Sequence, residues 1–224
     1  MEHVRLFVKS FAGILFFVII LFISAGRTDY YQGWIYLAIS VFGMSMDVAL
    51  TSTDIELLRE RSKPPGDAKE WDKWILKLSA LMTVGAYVVA GLDSGRYHWS
   101  PRLHWGICIL GIVVMCAGQV LFLFSKKTNK FFSSVVRIQY DRGHVVCDTG
   151  LYNFVRHPGY LGMIISWVGF PMVLGSLWSA IPVAVAIILL VVRTSLEDRT
   201  LTEELAGYGQ YIQKTRYKLV PGMW

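Results

Sequence analysis

Two polar clusters in an otherwise oily sequence hold the groups capable of chemistry. One is Arg156-His157-Pro158-Gly159-Tyr160; the other is Glu197-Asp198, followed by Glu203-Glu204. A carboxylate pair can hold a cation such as an α-ammonium group, a guanidinium can hold a carboxylate, and a tyrosine ring can stack on or cap a planar ligand. A purely structural reading stands beside this one. Arg193 and Glu197 are four residues apart, which lets them pair on one helix face, so the clusters could equally form a salt-bridge network. Pro158 has a plain role in the first turn of a following helix, where its missing N–H is harmless. His157 is the leading histidine because it abuts these groups, and His144 stays in reserve. His3, His98 and His104 lie near ends or in charge-poor segments. No Gly-rich strand–turn–helix fingerprint, HExxH motif or cysteine–histidine set with ligand spacing is present, so neither a dinucleotide fold nor a metal site is expected.

The elements that must position these groups are apolar. The 224 residues are 54% hydrophobic and only 17% charged, with a mean hydropathy of +0.46. A soluble domain of this size needs more surface charge, so the composition points to a membrane. The net charge of +6 comes from basic residues between apolar runs, which suits an anionic membrane face better than nucleic acid. Cys108, Cys116 and Cys147 form no disulfide framework, and the first two read as packing residues inside an apolar run.

Five apolar stretches occur at about 6–25, 32–51, 74–92, 104–124 and 161–192. A helix needs about 20 residues to cross the hydrocarbon, so the first four predict one helix each. The first follows Arg5 and Lys9 without a clear cleavage site and reads as an uncleaved span. The last would be about 48 Å long as one straight helix and contains Pro171, Gly175 and Pro182. It predicts a bend between arms 161–174 and 179–192 that must be covered by protein. Lys and Arg concentrate in 53–77, in 125–160 and in the tail, so these segments and the N-terminus are expected on the cytoplasmic side. A C-terminus on that side requires the last stretch to return as a hairpin. That hairpin would bring Arg156 and His157 beside Arg193, Glu197 and Asp198.

Trp34, Trp71, Trp74, Trp99, Trp105 and Trp178 lie near predicted helix ends, as interfacial aromatics do. Residues 61–70 read as a polar turn, "FFSSVVRIQY" as a short interfacial helix and "DRGHVVCDTG" as a loop. The segment from Val192 to Gly207 has helical propensity, with Leu196, Leu201 and Leu205 as a partial apolar face. The expected fold is an all-α polytopic bundle of five or six passes, ending in a broken hairpin and a cytoplasmic C-terminal helix. It forms one domain over 1–224, with four spans in 1–125 and the polar clusters in 126–224.

"RHPGYLG" (156–162) resembles the RHPxYxG motif of integral-membrane methyltransferases, the isoprenylcysteine carboxyl methyltransferase family and its relatives, which include phospholipid N-methyltransferases. The family's downstream acidic pair, leucine, Tyr-x-x-Tyr pattern and final proline are matched by "EDRTLTEELAGYGQYIQKTRYKLVPGMW" (197–224). The resemblance runs from about Val145 to Trp224. It implies methyl transfer from S-adenosylmethionine to a lipophilic acceptor, with the cofactor held between the motif, the broken hairpin and the C-terminal helix. Arg156, His157, Pro158, Tyr160 and Gly162 become the first cofactor element, Glu197 and Asp198 the acidic pair, and the backbone near Val145 and Gly150 the border of the adenosine. Asp198 stands where the family often has Glu, one methylene shorter.

A carboxylate acceptor is nucleophilic at neutral pH and needs an arginine to hold it, Arg193 or Arg216. An amine acceptor needs a base, His157 or Glu204. Carboxyl O-methylation of an isoprenoid or prenylcysteine-like acceptor entering from the bilayer is preferred, because "RYKLVPG" is closest to that branch. Lipid-amine N-methylation, an NADPH-dependent membrane reductase, and a transporter or structural protein remain as alternatives. No inverted repeat is visible, and the ionisable groups gather at one face, which weighs against transport. The small residues in the helices leave oligomeric state open.

Overall fold

A computed structural model describes residues 2–51, 57, 60 and 68–224, with the side chains of the first ten residues and of Thr51 left aside. The polar turn expected at 61–70 lies largely outside the described residues. The elements are helices: α1 (Glu2–Ala25), α2 (Tyr31–Thr51), α3 (Glu70–Ala90, running into a π-helix at Gly91–Tyr97), α4 (Trp105–Thr128), α5 (Pro158–Leu174), α6 (Ala180–Glu204) and α7 (Tyr208–Lys214). No strand occurs among the described residues. Among the described residues, four helices are long and apolar enough to cross a membrane: Tyr31–Leu50, Glu70–Tyr97, Trp105–Thr128 and Ala180–Glu204. Pro158–Leu174 is apolar but shorter, and the part of α1 with described side chains, Phe11–Ala25, is apolar as well. Phe16, Ile23, Phe42, Leu81, Val113 and Ile188 all point outward, as on the lipid-facing surface of a bundle. Trp34, Trp74, Trp99, Trp105 and Trp178 are likewise exposed.

Glycine sets the closest helix contact. A Cβ on Gly118 of α4 would meet the Gly162 carbonyl oxygen of α5 at 2.5 Å, and one on Gly169 would meet that of Gly111 at 2.6 Å. The two backbones therefore touch along a seam that any larger residue would force apart. Gly175 ends α5 in the left-handed region (φ 66°), which favours glycine, and the chain reverses into α6. The fully buried Asp93 in the π-helix anchors this reversal. It accepts hydrogen bonds from the Ser100 N–H (2.6 Å), the Ser100 hydroxyl (2.6 Å), the Ser176 hydroxyl (2.6 Å) and the Trp178 N–H (3.4 Å). Neutral donors alone surround this carboxylate among the described residues, and they staple α3 to the α5–α6 turn.

Two expectations need correction. The second arm does not stop near 192, because α6 continues to Glu204 and carries the acidic pair on the same rod. Segment 131–140 is not an interfacial helix; its backbone runs irregularly to a 3-10 turn at Tyr140–Arg142. Its polar groups are captured by side chains and chain from elsewhere. The Val136 N–H donates to Asp72 (2.8 Å), the Ser134 carbonyl accepts from Arg193 (3.0 Å) and the Val136 carbonyl accepts from the Lys69 N–H (3.2 Å). The β-branched pair Val135-Val136 adds little helix propensity to oppose this. The segment is a strap pinned across the charged end of the bundle.

Candidate functional site

The folded-back α5 and α6 place their charged ends together. Glu197 and Asp198 are successive residues on a helix and so face different ways. Asp198 turns inward and is buried. Arg156 donates to both of its oxygens, from Nε at 2.7 Å and from an Nη at 2.9 Å. The Tyr208 hydroxyl donates to it at 2.9 Å, His157 Nε2 lies 3.2 Å away and Lys218 Nζ 3.8 Å away. The other Nη of Arg156 donates to the Thr215 and Arg216 carbonyls at 2.9 and 2.6 Å. Backbone bonds from Arg156 N–H to the Tyr217 carbonyl and from His157 N–H to the Lys218 carbonyl, both 2.9 Å, clamp the C-terminal segment to the motif. Arg156 and Asp198 thus form a buried bracket joining three stretches of chain.

Glu197 turns the other way and accepts a short hydrogen bond from the Tyr160 hydroxyl through Oε2. Its Oε1 has no partner among the described residues. Arg193 does not pair with Glu197. Its Nε and one Nη bind the fully buried Asp72 at 2.7 and 3.2 Å, and its guanidinium lies 5.3 Å from the centre of the Tyr160 ring. Asp72, in the first turn of α3, therefore holds both Arg193 and the strap.

Between the strap and these helices lies an open cleft of about 800 Å³ including its mouth. Phe131, Phe132, His144, Val145 and Val146 line one side; His157, Tyr160 and Glu197 line the other; Leu201, Leu205, Tyr208 and Tyr211 close the base. The His144 ring packs on Phe131 with centroids 4.5 Å apart, and its Nδ1 accepts from the Gln139 N–H at 3.3 Å. Burial, followed by the positive charges of Arg137 and Arg142, lowers the His144 pKa to about 4, so the imidazole is neutral at physiological pH. Burial, then the charge of Asp198, pushes the Tyr208 phenol well up, so it stays a donor. Val145 and Val146 make no backbone hydrogen bond among the described residues, leaving a free peptide edge on the cleft wall. An acceptor oxygen, a peptide edge, a neutral imidazole and aromatic faces together suit a ligand with a cationic end and a flat, polar-edged ring. No cluster of three or more metal-ligating side chains occurs among the described residues.

Of the candidates from sequence, Val145, Arg156, His157, Tyr160 and Glu197 border the cleft. Pro158 starts α5, Gly162 lies in the α4–α5 seam and Gly150 adopts a left-handed turn (φ 58°) against Thr128; none of the three lines the cleft. Asp198 sits behind the wall in its bracket. Arg193 lies beneath Tyr160. Glu204 pairs with Lys69 at 2.6 Å, away from the cleft, and the Arg216 side chain is exposed while its carbonyl serves the bracket. Sequence reasoning missed Asp72 and the strap aromatics Phe131 and Phe132. The signal for Asp72 was a lone acid in "WDKW" at the mouth of an apolar run.

Residues 109–203 match the model of the isoprenylcysteine carboxyl methyltransferase (ICMT) family. The chain is 33% identical over 72 residues to a probable protein-S-isoprenylcysteine O-methyltransferase of Oryza sativa subsp. indica, covering 32% of this chain and 38% of that protein. It is 28% identical over 118 residues to protein-S-isoprenylcysteine O-methyltransferase A of Arabidopsis thaliana, covering 49% and 60%. It is also 28% identical over 113 residues to protein-S-isoprenylcysteine O-methyltransferase of Schizosaccharomyces pombe, covering 49% and 46%. The chain thus spans between about two fifths and three fifths of these curated relatives.

Proposed function

We propose that this chain, which matches the isoprenylcysteine carboxyl methyltransferase family model over residues 109–203 and is similar to curated protein-S-isoprenylcysteine O-methyltransferases, transfers a methyl group from S-adenosylmethionine to the carboxylate of a lipophilic, isoprenoid or prenylcysteine-like acceptor at the membrane. The observation that carries the reading is Glu197. Its Oε1 is without a partner among the described residues, and Glu197 lines a cleft walled by aromatics and a free peptide edge. Glu197 would hold the cofactor's ammonium end, and His144, Val145 and Val146 its planar base. When bound, the cofactor supplies a methyl group already activated by its sulfonium. The chain's own work is then positioning and exclusion of water. Tyr160 fixes Glu197, and Arg156 with Asp198 fixes the wall behind it. Arg193 keeps one Nη free of hydrogen bonds among the described residues, so it can orient an acceptor carboxylate below Tyr160. A carboxylate is ionised at neutral pH and needs no general base, which suits a cleft in which His144, with its lowered pKa, is a weak base and from which Glu204, paired to Lys69, is absent. The exposed Arg216 is the weaker candidate for the acceptor.

In the membrane, α5 and the first part of α6 form two passes of one hairpin. With α1 to α4 this makes six, and the N-terminus, cleft and C-terminus lie on the cytoplasmic side. The clustering of basic residues in 125–160 and in the tail supports this orientation. The whole chain acts as one domain, the acceptor's tail entering from the bilayer and the cofactor from the cytosol.

The test is calorimetric titration of detergent-purified protein with S-adenosylhomocysteine, with NADPH in parallel. Saturable binding of the former, weakened roughly tenfold or more in Glu197→Gln, is expected. Binding of NADPH alone would replace the methyltransferase reading with a reductase.

A further inference from the structure

Large apolar side chains stay exposed at the charged end of the bundle as well as along its spans. Phe154 is 70% exposed and Met223 is 83% exposed, and Tyr217, Val220 and Trp224 are uncovered too. One such residue needs no explanation, but several together mark a surface that something covers. The two segments that carry them are bonded to each other. The Thr215 hydroxyl lies 3.4 Å from both the Tyr152 and the Asn153 carbonyls, and the Arg156 N–H donates to the Tyr217 carbonyl at 2.9 Å. Phe154 sits between these bonds in sequence. The tail itself has two faces, with Thr215 and Leu219 buried and Arg216, Tyr217 and Val220 exposed. Trp224 folds back on it, its main-chain oxygen accepting from the N–H groups of Lys218, Leu219 and Val220 at 3.0, 3.1 and 3.2 Å. Lys218 Nζ then lies 4.6 Å from the centre of the Trp224 ring and 3.8 Å from Asp198, which ties this patch to the bracket.

The depth of the patch is set by α4. The 3-10 turn Gly150–Asn153, next to Phe154, rests on the last turns of that helix: the Tyr152 hydroxyl lies 3.3 Å from the Ser125 carbonyl, and a Cβ on Gly150 would meet Thr128 at 3.3 Å. The outward apolar face of α4 runs up to Val120 and Phe124, just below this level. The patch therefore continues the lipid-facing surface where the span ends, which is where amphipathic tyrosine and tryptophan rings settle. Charge fits the same partner. Lys127, in the last turn of α4, and Arg216, in the tail, are exposed and have no side-chain partner among the described residues. The nearby Asp148 is already paired with Lys214 at 3.2 Å. A long basic side chain at this level can lay its stem on the apolar layer and reach lipid phosphate with its head.

We propose that Phe154 and the exposed face of the tail form a foot that sits in the headgroup layer of the bilayer, with Lys127 and Arg216 binding the phosphates of anionic lipids. The foot holds the tail against the Arg156–Asp198 bracket, so the lipid surface braces the wall of the cleft from outside. Arg216 then faces phosphate rather than the methyl acceptor. The assignment stands on the packing of the tail and α4 and is independent of the reaction in the cleft.

The test uses the full chain in nanodiscs of phosphatidylcholine with and without phosphatidylglycerol. A fluorophore is attached to Phe154→Cys, Met223→Cys or Arg199→Cys in a background without the three native cysteines, and is quenched by lipids carrying a nitroxide at the top of the acyl chain. Arg199 is the control, because it stands about 10 Å along α6 beyond the last apolar residue, Val192. Positions 154 and 223 should be quenched several-fold more than 199. Native mass spectrometry of the wild type should show phosphatidylglycerol retained over phosphatidylcholine. Lys127→Gln with Arg216→Gln should weaken that retention by roughly fivefold for each cation removed, with the melting temperature in detergent unchanged, because neither cation has a partner within the chain. Quenching at 154 and 223 no stronger than at 199 overturns the proposal, as does lipid retention that the double variant leaves intact. Weak quenching at both positions in discs that hold two copies of the chain would also overturn it and give the patch to a second copy.

Discussion

Charge at the cleft is divided between groups that brace and groups left open. Asp72 braces: it is fully buried and holds Arg193 and the strap at once. Asp72→Asn leaves a buried guanidinium without its counter-charge, a change expected to cost about 3–5 kcal/mol. Denaturant unfolding should read that loss, and S-adenosylhomocysteine affinity should fall with it, because the strap carries Phe131 and Phe132. Unchanged affinity in a folded Asp72→Asn protein would show that the strap holds its place without it. His144 has the opposite character, because folding favours its neutral form. Its pKa falls from 6.5 to about 4, so between those values the unfolded chain binds a proton that the folded chain does not. Its contribution to stability is complete above pH 6.5 and is lost as the pH falls toward 4. Phenylalanine at 144 should flatten the acid side of the stability curve relative to wild type. Parallel curves for the two proteins would mean that the imidazole titrates normally in the cleft.

Among the helices, the α4–α5 seam decides where Tyr160 sits. Gly118→Leu must part backbones that touch at Gly162 and is expected to destabilise by about 1–3 kcal/mol, the usual range for overpacking. Gly13, with nothing within 4 Å of a built Cβ, supplies the control; Gly13→Ala should leave the melting temperature level or slightly higher. If the two variants melt alike, the seam does not limit stability. The Asp93 staple works at the other end of the same helices. It holds the reversal that returns α6 to the cleft, so the two ends of the α5–α6 pair are fastened separately, one by neutral donors on a carboxylate and one by ion pairs.

For the whole molecule, the orientation proposed from the basic residues can be tested directly. Single cysteines at Lys130 and Arg102, in a background without Cys108, Cys116 and Cys147, should be labelled by an impermeant maleimide from opposite faces of sealed vesicles. Labelling of both from one face would remove the six-pass arrangement. It would also place the cleft and the segment between α3 and α4 in the same compartment, contrary to the positive-inside distribution.

Much of this was legible in the linear sequence. The apolar runs located the helices because twenty residues without charge have one stable state in lipid. The prolines and Gly175 located the reversal, and the order of "RHPGYLG", the acidic pair and the tyrosines located the polar end. Those are local properties, carried by composition and spacing. What each charge does was not local. Glu197 and Asp198 are chemically alike neighbours, and only the packing of α6 against the motif turned one into the cleft and the other into a bracket. Arg193 could have paired four residues along its own helix but met Asp72, 121 residues away, because α3 packs beside α6. Segment 131–140 read as a helix until that same carboxylate captured its backbone. Helix formation is decided by short-range bonds and burial, whereas the partner of a buried charge is whichever counter-charge the tertiary fold brings within about 3 Å.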